Sequence, residues 1–318
     1  MPSDVLVGVG HDLQSTPFRR TALEYSFMPE IAEIEVKPAR EVARGVSTAQ
    51  ASNGIHYGSF GDTQLAAADL QRMVEAVPMA IAAALGHKRY YFVPLTLSEP
   101  LDVELTEPAF VEIDSSKLMI AADFSTELSD MAVCHRNAKV DGADCIFIST
   151  RLMQDRFALS FEFYINAGHH FVDAVGVPES FMRLVWSQAQ ANVRGETSQD
   201  AWEQRSKAVG SNAMQSVVAE TTKRRRPKFW TSKAAPEAAI EQRTIDEKAR
   251  MQYLEAAFSD AVAIYLLSLT VDFDYSELRE REYPLLAAPA LAERLKHVAK
   301  LFPPSEAHEF AIHYRRNR

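Results

Sequence analysis

Two cysteines, Cys134 and Cys145, among 318 residues are too few for a disulfide framework. The first residues, Met1-Pro2-Ser3-Asp4, show no basic stretch leading into an apolar one, as a secretory signal would. The most apolar run, Ala261 to Leu267, stops at Ser268 and falls far short of the roughly 20 residues a membrane-crossing helix needs. These absences set the expectation of a reducing, cytoplasmic setting with no membrane partner. Basic residues are not in excess either: 34 Lys and Arg stand against 43 Asp and Glu, a formal charge of −9. A field of that sign argues against nucleic acid as a partner. No cluster of His, Cys and carboxylates has the spacing of metal ligands, and no internal repeat is found.

What is present is the composition of a globular chain. Hydrophobic residues make up 47% and charged residues 24%, enough apolar surface to bury a core and too much for disorder. Val5 to Gly10 reads as a short buried strand stopped by glycine. A helix with Leu70, Met73, Val74, Val77, Ile81 and Leu85 on its apolar face is expected to kink or split in two at Pro78. Strands are expected at 89–95, 109–113, 117–124 and 145–152. Phe157, Leu159, Phe161, Phe163 and Ile165 alternate with Ser160, Glu162 and Tyr164, which predicts a further strand paired antiparallel to Cys145–Leu152 through a loop at 153–155. Pro178-Glu179 opens a helix, and from Ser198 onward the pattern is almost wholly helical. The expectation is therefore an α+β chain: a strand-rich region 1–197 with a mostly antiparallel sheet, then a mainly helical region 198–318.

One local pattern points to chemistry. If the expected strand runs on, His169 keeps the parity of its core-facing residues, and Asp173 follows four positions later, just before a helix. An imidazole titrates near neutral pH and can take a proton from an alcohol or amine as it attacks an acyl donor. The run His169-His170-Phe171-Val172-Asp173-Ala174 resembles the central motif of CoA-dependent acyltransferases of the BAHD and chloramphenicol acetyltransferase type, His-x-x-x-Asp-Gly after an apolar strand. Ala174 stands in place of the glycine, and the second half of those enzymes has no counterpart here. The resemblance implies His169 as general base, Asp173 as the carboxylate that holds the motif loop, and acyl-CoA as co-substrate with no permanently bound cofactor. A small hydroxyl or amine compound would be the acyl acceptor. Which of the two histidines points inward is left open by the sequence.

The competing reading is structural. A histidine delivered to a core must find a partner, and Asp173 could simply be that partner. The chain would then be a non-catalytic binding or assembly protein, with its long helices and the basic run Lys223-Arg224-Arg225-Arg226-Pro227-Lys228 making contacts to a protein partner or to a second copy. Cys134 beside His135 reads as a buried or incidental pair.

Overall fold

In a computed structural model, which describes residues 34–97, 117–153, 155–209, 246–278 and 283–312, two sheets are followed by a set of helices. The first elements are β1 (Val36–Pro38), α1 (Ala39–Gly45), β2 (Ala49–Gln50), β3 (His56–Ser59), α2 (Ala67–Glu75), α3 (Met79–Leu85), β4 (Lys88–Val93) and β5 (Leu95–Leu97). Next come β6 (Met119–Ala121), α4 (Thr126–Ser129), β7 (Ala132–Val133), β8 (His135–Val140) and β9 (Ala143–Ser149). Helices then take over: α5 (Arg156–Val175), α6 (Glu179–Gln190), α7 (Gln199–Val209), α8 (Glu247–Ser268) and α9 (Ala288–Leu301). This is the expected α+β arrangement. The expected strands at 5–10 and 109–113 and the basic run 223–228 lie outside the described residues.

One sheet, in the order β1-β6-β5-β7, is antiparallel throughout; the other, β2-β3-β4-β9-β8, is parallel at its centre and antiparallel at both ends. The central strand β4 explains itself chemically. Tyr90, Tyr91, Phe92 and Val93 are all fully buried, the continuous apolar run that a strand covered on both faces requires. Tyr90 and Phe92 enter a large core with Ile146, Ile148 and the helices, whereas Tyr91 and Val93 enter a smaller one with Ala39, Val42, Ile120 and Phe147. The large core takes side chains from α2, α3 and α5 and equally from α8 and α9, so the change of secondary structure near residue 197 is not a change of core.

Pro78 divides the early helix as expected, ending α2 and opening α3. Asn53 repairs the break by donating its amide to the carbonyls of Val74 and Val77 at 2.8 and 2.9 Å.

The expectation of a strand over Phe157–Ile165 is wrong. These residues lie in the first half of α5, so no hairpin pairs them with β9. Two physical facts decide it. β9 already has β4 on one side and β8 on the other, so no edge remains for the next segment to pair with. Asp155 then acts as an N-cap, its carboxylate accepting from the Ala158 N–H at 2.8 Å. The alternation of Phe157 to Ile165 was compatible with either period. The buried residues Leu159, Phe163, Ala167 and Phe171 recur every four and follow the helical one.

α8 packs against α5, α6, α7 and α9. It is buried all round from Ala257 to Leu267, as a helix at the centre of others must be. α5 packs tightly on it at Gly168, where an added Cβ would stand 2.7 Å from the carbonyl oxygen of Ser259. Gly168→Ala is therefore a test of competing terms. Alanine in a helix is worth about 1 kcal/mol over glycine, but overpacking against fixed backbone costs about 1–3 kcal/mol. We expect net destabilisation in urea unfolding; a stabilised variant would show that the two helices can move apart.

The helices are also joined by a buried charge network. Glu196 and Arg294 are fully buried and paired at 2.8 Å, and Arg205, 4% exposed, reaches the same carboxylate at 3.0 Å. The hydroxyl of Tyr253 donates to Glu196 Oε1 at 2.6 Å, and Arg294 also donates to Gln188 at 2.9 Å. Residues 194–197 run beside 284–287, with the N–H groups of Glu196 and Leu286 donating to Pro284 and Glu196 carbonyls. Gly195 sits there at φ +80°, and a Cβ would lie 2.0 Å from the Leu285 carbonyl oxygen, so only glycine fits.

Candidate functional site

The hairpin β8–β9 turns at Asp141-Gly142, both at positive φ, the conformation of a tight two-residue turn. Alternation along β8 then sends Ala138 and Val140 into the smaller core. His135 and Asn137 share the opposite parity, opposite Ile148 and Ile146, and meet α5. On α5, Glu162, Asn166 and His170 are spaced by four and form one stripe. A polar cluster is thus enclosed between the strand and the helix.

Its bonds are specific. His135 Nδ1 lies 2.5 Å from Glu162 Oε1, with both side chains less than a fifth exposed. Asn166 donates to the same oxygen at 3.1 Å and to the Glu162 carbonyl at 2.8 Å. His170, only 3% exposed, has the Tyr90 hydroxyl 3.3 Å from Nδ1 and the Asn137 amide 3.2 Å from Nε2. A neutral ring meets both contacts at once, donating from one nitrogen and accepting at the other. Burial, reinforced by the positive charge of Lys88 and the neighbouring histidines, lowers the His170 pKa to about 3. Burial also lowers His169 to about 4, with His135 acting in the same direction and Glu162 against it.

The doubled histidine is thereby resolved. His170 is the one that points into the core, and His169 sits half-buried at the edge of the cluster. Asp173 is exposed one turn later. Sequence reasoning missed Tyr90, Asn137, Glu162 and Asn166. The Glu162-Asn166-His170 spacing was readable only once the segment was known to be helical, and His135 had been set aside as incidental to Cys134.

A helix that holds a catalytic zinc ion presents two imidazoles four residues apart, with a carboxylate base directly after the first. The corresponding turn of α5 reads Asn166-Ala167-Gly168-His169-His170, with an amide at the first position, a methyl group at the second and an imidazole at the last. Among the described residues, no group of three or more His, Cys, Asp or Glu side chains is placed to hold a metal.

A second buried acid lies nearby on α8. Asp260, 8% exposed, borders a cavity of about 50 Å³ with Phe161, Ile165, Ile264 and Tyr283, and accepts from the Thr197 hydroxyl at 2.7 Å. Burial raises its pKa to about 6, against the opposing hydrogen bonds of Ser198 and Thr197.

These shifts have opposite signs in pH-dependent stability. Both histidines titrate lower in the folded chain than at their ordinary value of 6.5, so acid protonates the unfolded chain first and stability falls below pH 6.5. Asp260 takes up its proton earlier in the folded chain, from about pH 6, and so returns stability. At about 1.4 kcal/mol per unit, acidification from pH 6.5 to 5 should cost about 1.5 kcal/mol for each histidine and regain about 1 kcal/mol through Asp260. Urea unfolding at the two pH values should show a net loss of about 2 kcal/mol, reduced in His169→Gln/His170→Gln and enlarged in Asp260→Asn. An unchanged pH dependence in the double variant would show that these rings are not the source. Compared with family models, curated proteins and solved structures, the chain matches none of them.

Proposed function

We propose that this chain is a non-catalytic binding or assembly protein, and that the polar cluster between β8 and α5 serves to fix the strand against the helix. The observation that supports this reading most is His170. It is sealed from solvent, neutral at pH 7, and engaged at both ring nitrogens. A general base needs a nitrogen that can reach a substrate proton and a channel through which the substrate arrives. Partners would then be met by other surfaces, a second copy or another protein among them.

Acyl transfer with His169 as base and Asp173 beside it is the alternative, favoured by the partial exposure of His169 and its neutral state at pH 7. A strand ending at the histidine belongs to that mechanism's known framework, and α5 provides a helix in its place. Thermal denaturation with acetyl-, malonyl- and longer acyl-CoAs separates the two. A ligand of the folded state present at 100 times its Kd raises stability by about 2.7 kcal/mol. On our reading none of them protects. Truncating His170 to Ala should cost about 2–3 kcal/mol by leaving the Tyr90 hydroxyl and Asn137 amide buried without it, while His169→Ala costs less. Protection by an acyl-CoA that His169→Ala abolishes in a folded variant would establish acyl transfer instead.

A further inference from the structure

At the N-terminal end of α5, about 14 Å along its axis from the histidines, lies a cavity of about 230 Å³ whose polar lining is Asp69, Arg72, Arg156, Ser160, Thr270 and His308, with Met73, Leu269 and Val271 as its apolar part. Arg72 and Arg156 both pair with a single oxygen, Oδ1 of Asp69, the first at 2.7 Å. A single carboxylate oxygen engages both guanidiniums, and each planar fork keeps further N–H donors. The two guanidiniums are well exposed, at 69% and 57%, and free to turn toward an incoming group. Ser160 is the opposite: 4% exposed, it lines the cavity and its hydroxyl makes no hydrogen bond among the described residues. His308 faces the same space, with its Nδ1 taken by Ser305 at 3.0 Å. Asp69 and Glu75 carry opposing negative charge, and the Glu75 carboxyl is held low by Gln71, Ser52 and His308.

We propose that this basin binds a compact phosphate monoester, its dianion bridging Arg72 and Arg156 and accepting a hydrogen bond from Ser160. Two convergent guanidiniums suit a tetrahedral dianion better than a single carboxylate does, because each can bond two of its oxygens. The volume lies below the 300–1,000 Å³ or so of sites for drug-sized molecules, which restricts the ligand to a phosphate with a few carbons. This site does not depend on whether the histidine cluster is catalytic.

Isothermal titration of the full chain with glycerol 3-phosphate, inorganic phosphate and succinate, at constant ionic strength, tests it. Saturable binding of the phosphate ester is expected, weakened on the order of tenfold or more in Arg72→Gln/Arg156→Gln and about threefold in Ser160→Ala. Replacing Arg224, Arg225 and Arg226 with Gln should leave the titration unchanged. The proposal fails if no saturable binding occurs, if the double arginine variant binds as before, or if the 224–226 variant loses binding. Tighter binding of succinate would overturn the assignment to phosphate. Should the double variant lose its circular dichroism spectrum, Arg72→Gln alone, which keeps the Arg156–Asp69 pair, must still weaken binding about threefold; an unchanged affinity there also defeats the proposal.

Discussion

Glu196→Gln is expected to cost about 3–5 kcal/mol of folding stability, the penalty for breaking a buried ion pair from one side. Arg294 and Arg205 converge on this carboxylate at 0% and 4% exposure, out of reach of bulk solvent. Glutamine keeps the volume but offers one acceptor oxygen where two were used, and its amide would face Arg294 or the Tyr253 hydroxyl. The loss should appear as a fall in the urea midpoint without a change in slope, since the surface exposed on unfolding is the same. The reverse experiment sharpens the point. Replacing Glu196, Arg205 and Arg294 together by apolar residues of similar volume should cost much less than the single change, because no unpaired charge is left behind. If Glu196→Gln unfolds within about 1 kcal/mol of the wild type, the pair contributes far less than its burial implies.

The second large effect is expected at Phe258. Its ring is fully buried and lies between Phe181, at 4.8 Å between centroids, and Phe171 and Phe302 at 6.2 and 6.4 Å. It therefore joins α8 to α5, α6 and the end of α9 at one point. Truncation to alanine should cost about 3–5 kcal/mol through lost burial and the cavity left behind. Phe258→Leu fills most of the space and should cost about half as much. Chemical denaturation of the two variants measures the difference. Equal losses would mean that the four rings interact through their geometry more than through the volume they fill.

How much of this could be read from the chain varies element by element. Pro78 marked a helix break and Pro178 a helix start, because each acts through its own backbone and no distant partner is needed. The strand β9 was legible from its run of apolar residues. α5 was not. Phe157 to Ile165 satisfy period two and period four alike, and the deciding fact, that β9 is already paired on both sides, is a property of the sheet. α8 was legible as a helix but not as a central one: Met251 is exposed at 38%, while residues on every side from Ala257 to Leu267 are buried. The candidate site suffered most from the misread period. His169 and Asp173 had been placed at a strand end, and the residue that enters the core is His170, held by Tyr90 and Asn137 from strands 80 and 33 residues away. The Glu196 network could not be foreseen, since nothing in a sequence shows that Glu196 and Arg294, 98 residues apart, will meet.

The parallel core of the larger sheet has a consequence for how fast the chain can fold. Lys88 pairs in register with Asp144, 56 residues on, and β3 must find β4 across two intervening helices. Closing such loops costs entropy before any contact repays it, and non-local pairings of this kind are associated with folding in milliseconds to seconds. The hairpin β8–β9 and the helices have no such delay, as each closes locally within microseconds or so. The polar cluster needs Tyr90 from β4, Asn137 from β8 and His170 from α5 in place together. It should accordingly be completed late, and His170→Ala should speed unfolding while leaving the refolding rate almost unchanged.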